Sequence, residues 1–134
     1  MMTRTQPAVC PSMQGLPPEA LAQVAAYFQV LSEPTRLQIL NLLREGERSV
    51  GELAQLCGSS SANVSRHLAM LQQHGLVERE SRGNSVFYKI ADESVYELCD
   101  VVCGNIARQF ERLDQSRAAF VLPKSKIAKA RASR

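Results

Sequence analysis

Two short amphipathic segments follow each other in the middle of the chain, and they restrict its fold more than any other feature. The first, SVGELAQLCG, has Ser49 and Glu52 at the spacing of a capping box and Gly58 as a helix stop. The second, SSANVSRHLAMLQQHG, starts with a cap residue at Ser59 or Ser60 and repeats apolar residues at helical spacing. Because so few residues separate the two segments, they predict a helix-turn-helix.

Two further helices are predicted upstream of this pair. PPEALAQVAAYFQVL has helical periodicity and a proline, Pro17, at its start. SEPTRLQILNLLREG repeats this pattern, with Ser32 as the expected cap and with Leu37, Leu40 and Leu43 on one face. The folded part of the chain is therefore expected to begin with two amphipathic helices.

Downstream of the pair, the period of the sequence changes. LVERES and SVFYKI alternate around RGN, which predicts a two-stranded hairpin with Gly83 or Asn84 at positive φ. A long fifth helix is predicted from the cap Asp92 to about Phe120. These elements define a mainly α fold of five helices with a small β-hairpin.

Length and composition indicate one domain with tails. We expect residues 1–16 to form a flexible N-terminal segment, residues 17–122 the folded domain and residues 123–134 a disordered basic tail. The tail holds five cations and no acid, and without them the formal charge of +3 falls to −2. A nucleic-acid surface on the folded part must then be a local basic patch.

The sequence also indicates the compartment. No apolar run is long enough to cross a bilayer, and the N-terminus lacks the apolar middle of a secretory signal. We therefore expect a cytoplasmic protein without a membrane partner. In that reducing compartment the four cysteines are expected as thiols, and their spacing matches no zinc finger, so we expect folding to require no cofactor.

The outer side of the fourth helix is the first candidate functional surface. Its small polar residues would let the helix enter a major groove, where Arg66 can bind guanine or phosphate and Asn63 can bind adenine. Free amides at the helix N-terminus suit a phosphate. A simple solvated surface explains the same polarity. The candidate residues on this helix are Ser60, Ser61, Asn63, Ser65 and Arg66.

The hairpin favours the DNA interpretation. Arg79, Arg82 and Lys89 cluster there with Tyr88, and a hairpin that follows such a helix can reach the DNA backbone or the minor groove. Arg36, near the start of the second helix, is a further candidate for a phosphate contact. Both elements indicate duplex DNA as the partner.

Together these segments resemble the ArsR/SmtB family of dimeric winged-helix repressors. The resemblance runs from about residue 20 to residue 105, through LSEPTRLQILNLL, SVGELAQLCGSSSANVSRHLAMLQQHGLVERE and GNSVFYKI, and VSRHLAMLQQHGLV is its most specific part. It implies a winged helix-turn-helix homodimer with the first and last helices at the dimer interface. It also implies a repressor that leaves its operator when an inducer binds.

The resemblance assigns DNA contacts residue by residue. His67 occupies the family's S-x-H-L position, where it either touches a phosphate or links the helix to its neighbours. The residues that stand where members of the family meet DNA are Ser60, Ser61, Ala62, Ser65 and Arg66.

Neither familiar sensor site of the family is present in the sequence. The cysteine motif that arsenic-sensing relatives carry on the third helix would fall at Ser49, Gly51 and Ala54. Zinc-sensing relatives carry aspartate and histidine on the fifth helix, whereas the only histidines of this chain are His67 and His74. An inducer site, if the chain has one, must lie elsewhere.

The stretch ELCDVVCG on the fifth helix offers such a site. Cys99 lies within an apolar stripe of the helix and Cys103 lies at its edge one turn later, so both sulfurs can reach one ion. Thiolates favour thiophilic ions, and trivalent arsenic or antimony needs only two or three sulfurs. Cys10 could supply the third sulfur. We therefore expect a repressor that As(III) or Sb(III) releases from DNA.

Three alternatives stay open at this point. The same cysteines could respond to oxidation or persulfidation instead of a metalloid. All four thiols could be packing residues in a repressor without a cysteine sensor, and packing is the expected role of Cys57. An enzyme fits poorly, since neither Cys99 nor Cys103 opens a helix or has a convincing base beside it.

Removing residues 124–134 should weaken binding to nonspecific DNA without unfolding the protein, because the five cations of this tail add salt-dependent affinity. A salt titration of the full chain and of the truncated chain measures the effect, with circular dichroism as the control for folding. Equal affinities at every salt concentration would show that the tail does not contact DNA.

Overall fold

The computed structural model describes residues 12–113. Cys10, the basic tail and the predicted end of the fifth helix at Phe120 lie outside these residues. The chain divides into two compact units, residues 1–91 and residues 92–134, and each is described by itself.

Within the described range the chain forms five helices and three strands. The predicted helices and the predicted hairpin are confirmed, and a short strand is added that the sequence does not predict. In chain order the elements are α1 (Pro18–Val30), α2 (Pro34–Leu43), β1 (Arg48–Ser49), α3 (Val50–Cys57), α4 (Ser61–Gln73), β2 (Val77–Arg82), β3 (Ser85–Ile90) and α5 (Ser94–Leu113).

The ends of the helix-turn-helix are set by the residues that the sequence indicates. Ser49 Oγ accepts a hydrogen bond from Glu52 N at 3.1 Å, and Glu52 Oε1 accepts one from Ser49 N at 2.9 Å, which confirms the capping box. Gly58 ends α3 in the left-handed region, with a φ of 66°. Of the two expected caps of α4, Ser60 is the one used, since its Oγ accepts from Asn63 N at 3.0 Å.

The cap of α2 differs from the prediction. Ser32 does not cap the helix, and its hydroxyl donates instead to Gln29 O at 2.7 Å. Glu33 is the N-cap, and its Oε1 accepts from Thr35 N at 2.8 Å and from Arg36 N at 3.2 Å. A carboxylate suits this place because the free amides of a helix N-terminus attract negative charge. Burial by itself would raise the pKa of Glu33, but the two backbone hydrogen bonds, together with the charges of His67 and Arg36, lower the pKa.

The core of the first unit forms where α2, α3 and α4 meet one another and the sheet. One position of the predicted α2 face is wrong: Leu37 is 40% exposed, and Ile39 is buried in its place beside Leu40 and Leu43. The inward face of α4 is as predicted. The fully buried side chains of this unit include Ile39, Leu43, Leu53, Val64, Leu68, Leu71 and Leu76.

The hairpin and β1 form a three-stranded antiparallel sheet in the order β1-β3-β2. Gly83 lies in the hairpin turn with a φ of 60°, as the sequence predicts for this residue or for Asn84. β1 pairs Arg48 with Tyr88 and Ser49 with Phe87. This short strand therefore fastens the start of α3 to the middle of the hairpin.

The second unit is described through α5, which runs without interruption over 20 residues. Val95 is buried, whereas Val102 and Leu113, farther along the same apolar stripe, are 44% and 74% exposed. None of the helices in the described part of the chain combines the length and the apolarity that a membrane span requires.

Leu40→Ala should lower the free energy of unfolding by about 2 to 5 kcal/mol, because truncation of a buried leucine removes apolar contacts and leaves a cavity. Leu37→Ala is the matched control on the same helix, and its loss should stay below about 1 kcal/mol, since Leu37 keeps much of its contact with water. Chemical denaturation at one fixed protein concentration measures both. Similar losses would contradict the burial of Leu40 and the exposure of Leu37.

Candidate nucleic-acid interface

The rotation of α4 about its axis is fixed by its apolar side. Val64, Leu68 and Leu71 are fully buried, so the opposite side of the helix faces outward. The helix begins there with the free amides of its first turn. The members of the predicted DNA-facing set that are exposed on this helix and at its cap are Ser60, Ser61, Ala62, Ser65 and Arg66.

Asn63 is held by side chains of its own segment. Its Nδ2 donates to Ser59 Oγ at 2.8 Å, and its Oδ1 accepts a hydrogen bond from Arg66 Nη2. The residue is half-buried, and both polar atoms of its amide already have a partner in the same segment. Arg66 is exposed, and its guanidinium has further N–H groups to offer. Arg66 is therefore better placed than Asn63 for a base contact.

His67 lies on the inner side of the helix. At 6% exposure it is the buried polar side chain among the described residues. Arg36 Nη1 lies 3.0 Å from His67 Nδ1, and Arg36 Nε donates to Val30 O at 2.6 Å. Of the two roles considered for His67, these contacts support the link between helices. They also hold Arg36 inside the protein, so its predicted phosphate contact is not supported.

The basic residues of the hairpin do not form one cluster. Side chains alternate between the two faces of a strand, and the register pairs Arg79 with Tyr88 and Lys89 with Glu78. Arg79 therefore lies on one face of the hairpin, whereas Arg82 and Lys89 lie on the other. The expected basic cluster is split by the pleat of the sheet.

Arg82 is exposed but engaged by other groups of the protein. Its Nη1 lies 2.6 Å from Glu47 Oε2 and its Nη2 lies 3.1 Å from Glu80 Oε1. The guanidinium also stacks over the Phe87 ring at 4.8 Å from the centroid. The hydrogen bonds to Glu47 and Glu80 raise the pKa of Arg82, and the same contact lowers the pKa of Glu80. Two carboxylates thus neutralise this cation.

The two remaining cations of the hairpin, Lys89 and Arg79, differ in whether a carboxylate lies near them. Lys89 Nζ lies 3.8 Å from Glu78 Oε1, and both side chains are exposed. Arg79 is exposed, and within residues 12–113 no carboxylate lies at ion-pair distance from it. Arg79 shares its face of the hairpin with the buried Tyr88 but is itself exposed, so it is the hairpin cation whose charge is most available to a phosphate.

Tyr88 does not belong to the exposed surface. It is only 7% exposed and forms part of the core, so its predicted role as a DNA contact is wrong. The physical reason is that Tyr88 lies in the middle of β3, the central strand of the sheet, and its side chain lies on the face that packs against the core. The alternation of SVFYKI indicated one buried face, but the sequence did not show which face it was.

Two acidic residues that shape this surface were missed. Glu33 lies beside His67, and Glu47 holds Arg82 across 35 positions of sequence. No local spacing connects Glu47 with its partner. The SEPTR segment could have indicated Glu33, because an acid directly before a proline at a helix start is a good cap.

The candidate thiols are only partly within the described structure. Cys99 is half-buried and Cys103 is exposed, both as reduced thiols on α5, whereas Cys10 lies outside. In the described range, no group of three or more His, Cys, Asp and Glu side chains could hold a metal ion. Cys57 is half-buried, and burial raises the pKa of its thiol, which supports a packing role.

Comparison with known proteins agrees with this geometry. Residues 33–79 match the family described as bacterial regulatory protein, arsR family. The HTH-type transcriptional regulator KmtR of Mycobacterium tuberculosis is 37% identical over 83 residues, which make up 62% of this chain and 64% of KmtR. The matching part thus spans just under two thirds of that relative.

Two solved structures share the fold. The crystal structure of Rv0081 from Mycobacterium tuberculosis has a TM-score of 0.64 at 35% identity and covers 72% of this chain and 97% of that chain. The solution structure of Mb0332 from Mycobacterium bovis has a TM-score of 0.63 at 35% identity, with 75% and 95% covered. Mb0332 is described as a homodimeric winged helix-turn-helix DNA-binding domain of a possible ArsR-family regulator.

The fold and the exposed side of α4 define a winged helix-turn-helix DNA-binding transcriptional regulator, which is not a class of enzyme. The chain belongs to the arsR family of bacterial regulatory proteins. The resemblance drawn from the sequence is confirmed, and α4 is called the recognition helix from here on.

Arg79→Gln should reduce the salt dependence of DNA binding, because each phosphate contact adds about 0.9 to the slope of log K against log salt concentration. Arg82→Gln is the matched control and should leave this slope nearly unchanged, since Glu47 and Glu80 already neutralise Arg82. Fluorescence anisotropy with one labelled duplex measures both slopes. A larger change for Arg82→Gln than for Arg79→Gln would contradict the neutralisation of Arg82 by Glu47 and Glu80.

Proposed function

We propose that this chain is a homodimeric repressor that leaves its operator when Cys99 and Cys103 bind trivalent arsenic or antimony. One observation carries the proposal: a continuous helix presents two thiols one turn apart, with Cys103 exposed and Cys99 half-buried. Side chains four residues apart on a helix lie on the same face, so two thiolates can bind one ion together. The DNA-binding part of the proposal rests on membership of the arsR family.

The small number of ligands favours a metalloid over zinc. A zinc site needs three or four protein ligands, and within residues 12–113 no group of three His, Cys, Asp and Glu side chains could supply them. Trivalent arsenic and antimony are satisfied by two or three sulfurs and need neither histidine nor carboxylate. In the proposal Cys10, which lies outside the described residues, is the candidate for a third sulfur.

Exposed apolar side chains support the homodimer. On α1, Leu21 is 41% exposed and Phe28 is 46% exposed, and on α5, Val102 is 44% exposed and Leu113 is 74% exposed. Exposed apolar surface of this kind is commonly covered by another protein chain. Mb0332, which has the same fold, is homodimeric. We propose the same assembly for this chain, with α1 and α5 at the interface.

In a dimer, the binding of an inducer can change the affinity for DNA. Two recognition helices can bind together only when their separation matches successive major grooves of the operator. A ligand that binds one arrangement of the subunits more tightly shifts the population toward that arrangement. In the proposal, metalloid bound to Cys99 and Cys103 stabilises a separation that does not fit the operator.

Trivalent antimony and arsenic should release the reduced protein from a fragment of its own promoter, whereas the Cys99→Ser, Cys103→Ser double variant should stay bound. Fluorescence anisotropy of labelled DNA measures the release, with Zn(II), Cd(II), peroxide and polysulfide as comparators. Cys57→Ser is the matched control, because it removes a thiol outside the proposed site and should respond as the wild type does.

The other outcomes separate the competing functions. Release by peroxide or polysulfide alone would replace the metalloid with an oxidation or persulfide response at the same thiols. Identical behaviour of all three proteins with every agent would contradict a thiol sensor, and it would leave a regulator whose cysteines serve only in packing.

A further inference from the structure

His67 connects the recognition helix to a different part of the fold. A buried polar side chain needs hydrogen-bonding partners, and those of His67 come from the junction of α1 and α2. Arg36, in the first turn of α2, lies 3.0 Å from its Nδ1, and Glu33, the cap of α2, lies 3.9 Å from its Nε2. The start of α2 and the recognition helix therefore meet at one imidazole.

The contact at Nδ1 defines the protonation state of the ring. A guanidinium can only donate hydrogen bonds, so the bond from Arg36 requires a lone pair on Nδ1. The proton of the neutral imidazole is then on Nε2, on the side where Glu33 Oε1 lies. His67 can accept from Arg36 only while it is neutral.

Arg36 itself is anchored at both ends of the junction. Its Nε donates at 2.6 Å to the carbonyl of Val30, the last residue of α1. Its backbone N–H is capped by the Glu33 carboxylate at 3.2 Å. The guanidinium is thus fixed on α1 and α2, and its remaining contact with His67 reaches the recognition helix.

We propose that His67 is a positioning residue for DNA binding, which through Arg36 holds the recognition helix at the junction of α1 and α2 and does so only as a neutral imidazole. His67 contacts no base and no phosphate in this proposal. Its action depends on the DNA-binding class of the protein and is independent of the thiol site on α5.

Protonation would break this link. A proton on Nδ1 would set an N–H donor and a positive charge against the Arg36 guanidinium. The charges that act on the ring come from Glu33 and Arg36 at the junction and from Arg66 on the recognition helix itself. Burial lowers the pKa of His67 most, Glu33 raises it, and the two arginines lower it. The folded pKa therefore lies below the ordinary 6.5, so the link is intact at neutral pH and is lost as the pH falls through this lowered folded pKa.

The sign of the pH dependence separates positioning from a phosphate contact. A histidine that touches a phosphate binds DNA more tightly when it becomes protonated, since it then carries a positive charge. A histidine that positions the helix through Arg36 gives weaker binding when it becomes protonated. The two roles predict opposite slopes over the same pH range.

The test compares the wild-type protein with His67→Asn and His74→Asn between pH 8 and about pH 5 at constant ionic strength. Asparagine places an amide oxygen near the position of Nδ1, so it can still accept from Arg36, and it does not titrate. The measured quantity is the affinity for a promoter fragment divided by that for unrelated DNA of equal length, because the ratio removes the general effect of net charge. Thermal unfolding at each pH shows that the proteins stay folded.

We expect this ratio to fall about tenfold toward low pH for the wild type, the size expected for losing a hydrogen bond to a charged group. His67→Asn should show a flat profile, and His74→Asn should follow the wild type. A rise in the wild-type ratio at low pH that His67→Asn abolishes would overturn the proposal in favour of a phosphate contact. A flat wild-type profile would overturn it in favour of simple packing.

A spectroscopic measurement keeps the proposal testable if His67→Asn does not fold. The ¹⁵N chemical shifts of the ring nitrogens report which of them carries the proton. At neutral pH they should show an unprotonated Nδ1 and a protonated Nε2 for His67. A protonated Nδ1 would exclude the hydrogen bond from Arg36 and would overturn the proposal.

Discussion

The burial of one side of the recognition helix is the interaction on which the rest of the structure depends. Val64, Leu68 and Leu71 are fully buried, and each such side chain contributes roughly 1.5 to 3 kcal/mol relative to exposure. These contacts decide which residues of the helix are left outside. Ser65 and Arg66 are therefore exposed because the opposite side of the helix packs in the core. The same packing holds the DNA-facing side of the helix in place.

The positions of individual arginines matter more for this surface than the net charge of the chain. Arg36 and Arg82 are both held by groups of the protein itself, the first by Val30 and His67 and the second by Glu47 and Glu80. Arg66 and Arg79 are exposed. A chain whose charge outside its basic tail is slightly negative can thus still present Arg66 and Arg79 on its surface, while Arg36 and Arg82 are engaged by its own groups.

Local features of the fold could be predicted from the sequence, and features that depend on distant partners could not. The capping box of Ser49 and Glu52 and the stop at Gly58 act within one turn, so their spacing was sufficient. Tyr88 was assigned to the wrong side because alternation shows that a strand has two faces without showing which is buried. The salt bridge between Glu47 and Arg82 could not be predicted because it joins segments 35 residues apart. β1 could not be predicted because its two residues are too few to show an alternating pattern. For the thiols, helical spacing placed Cys99 and Cys103 together, but their ligand stays a proposal.

The central claim is that the recognition helix reads the operator through its exposed side. Its most direct test compares the affinity for operator DNA with the affinity for unrelated DNA. Arg66→Ala is measured against the wild type on a promoter fragment and on unrelated DNA of the same length and at the same salt concentration. If Arg66 contacts a base, operator binding should weaken by about 1 to 3 kcal/mol, which is roughly 5- to 150-fold, with a much smaller loss on unrelated DNA. Equal losses on both DNAs, or no loss on either, would contradict base reading by this side of the helix.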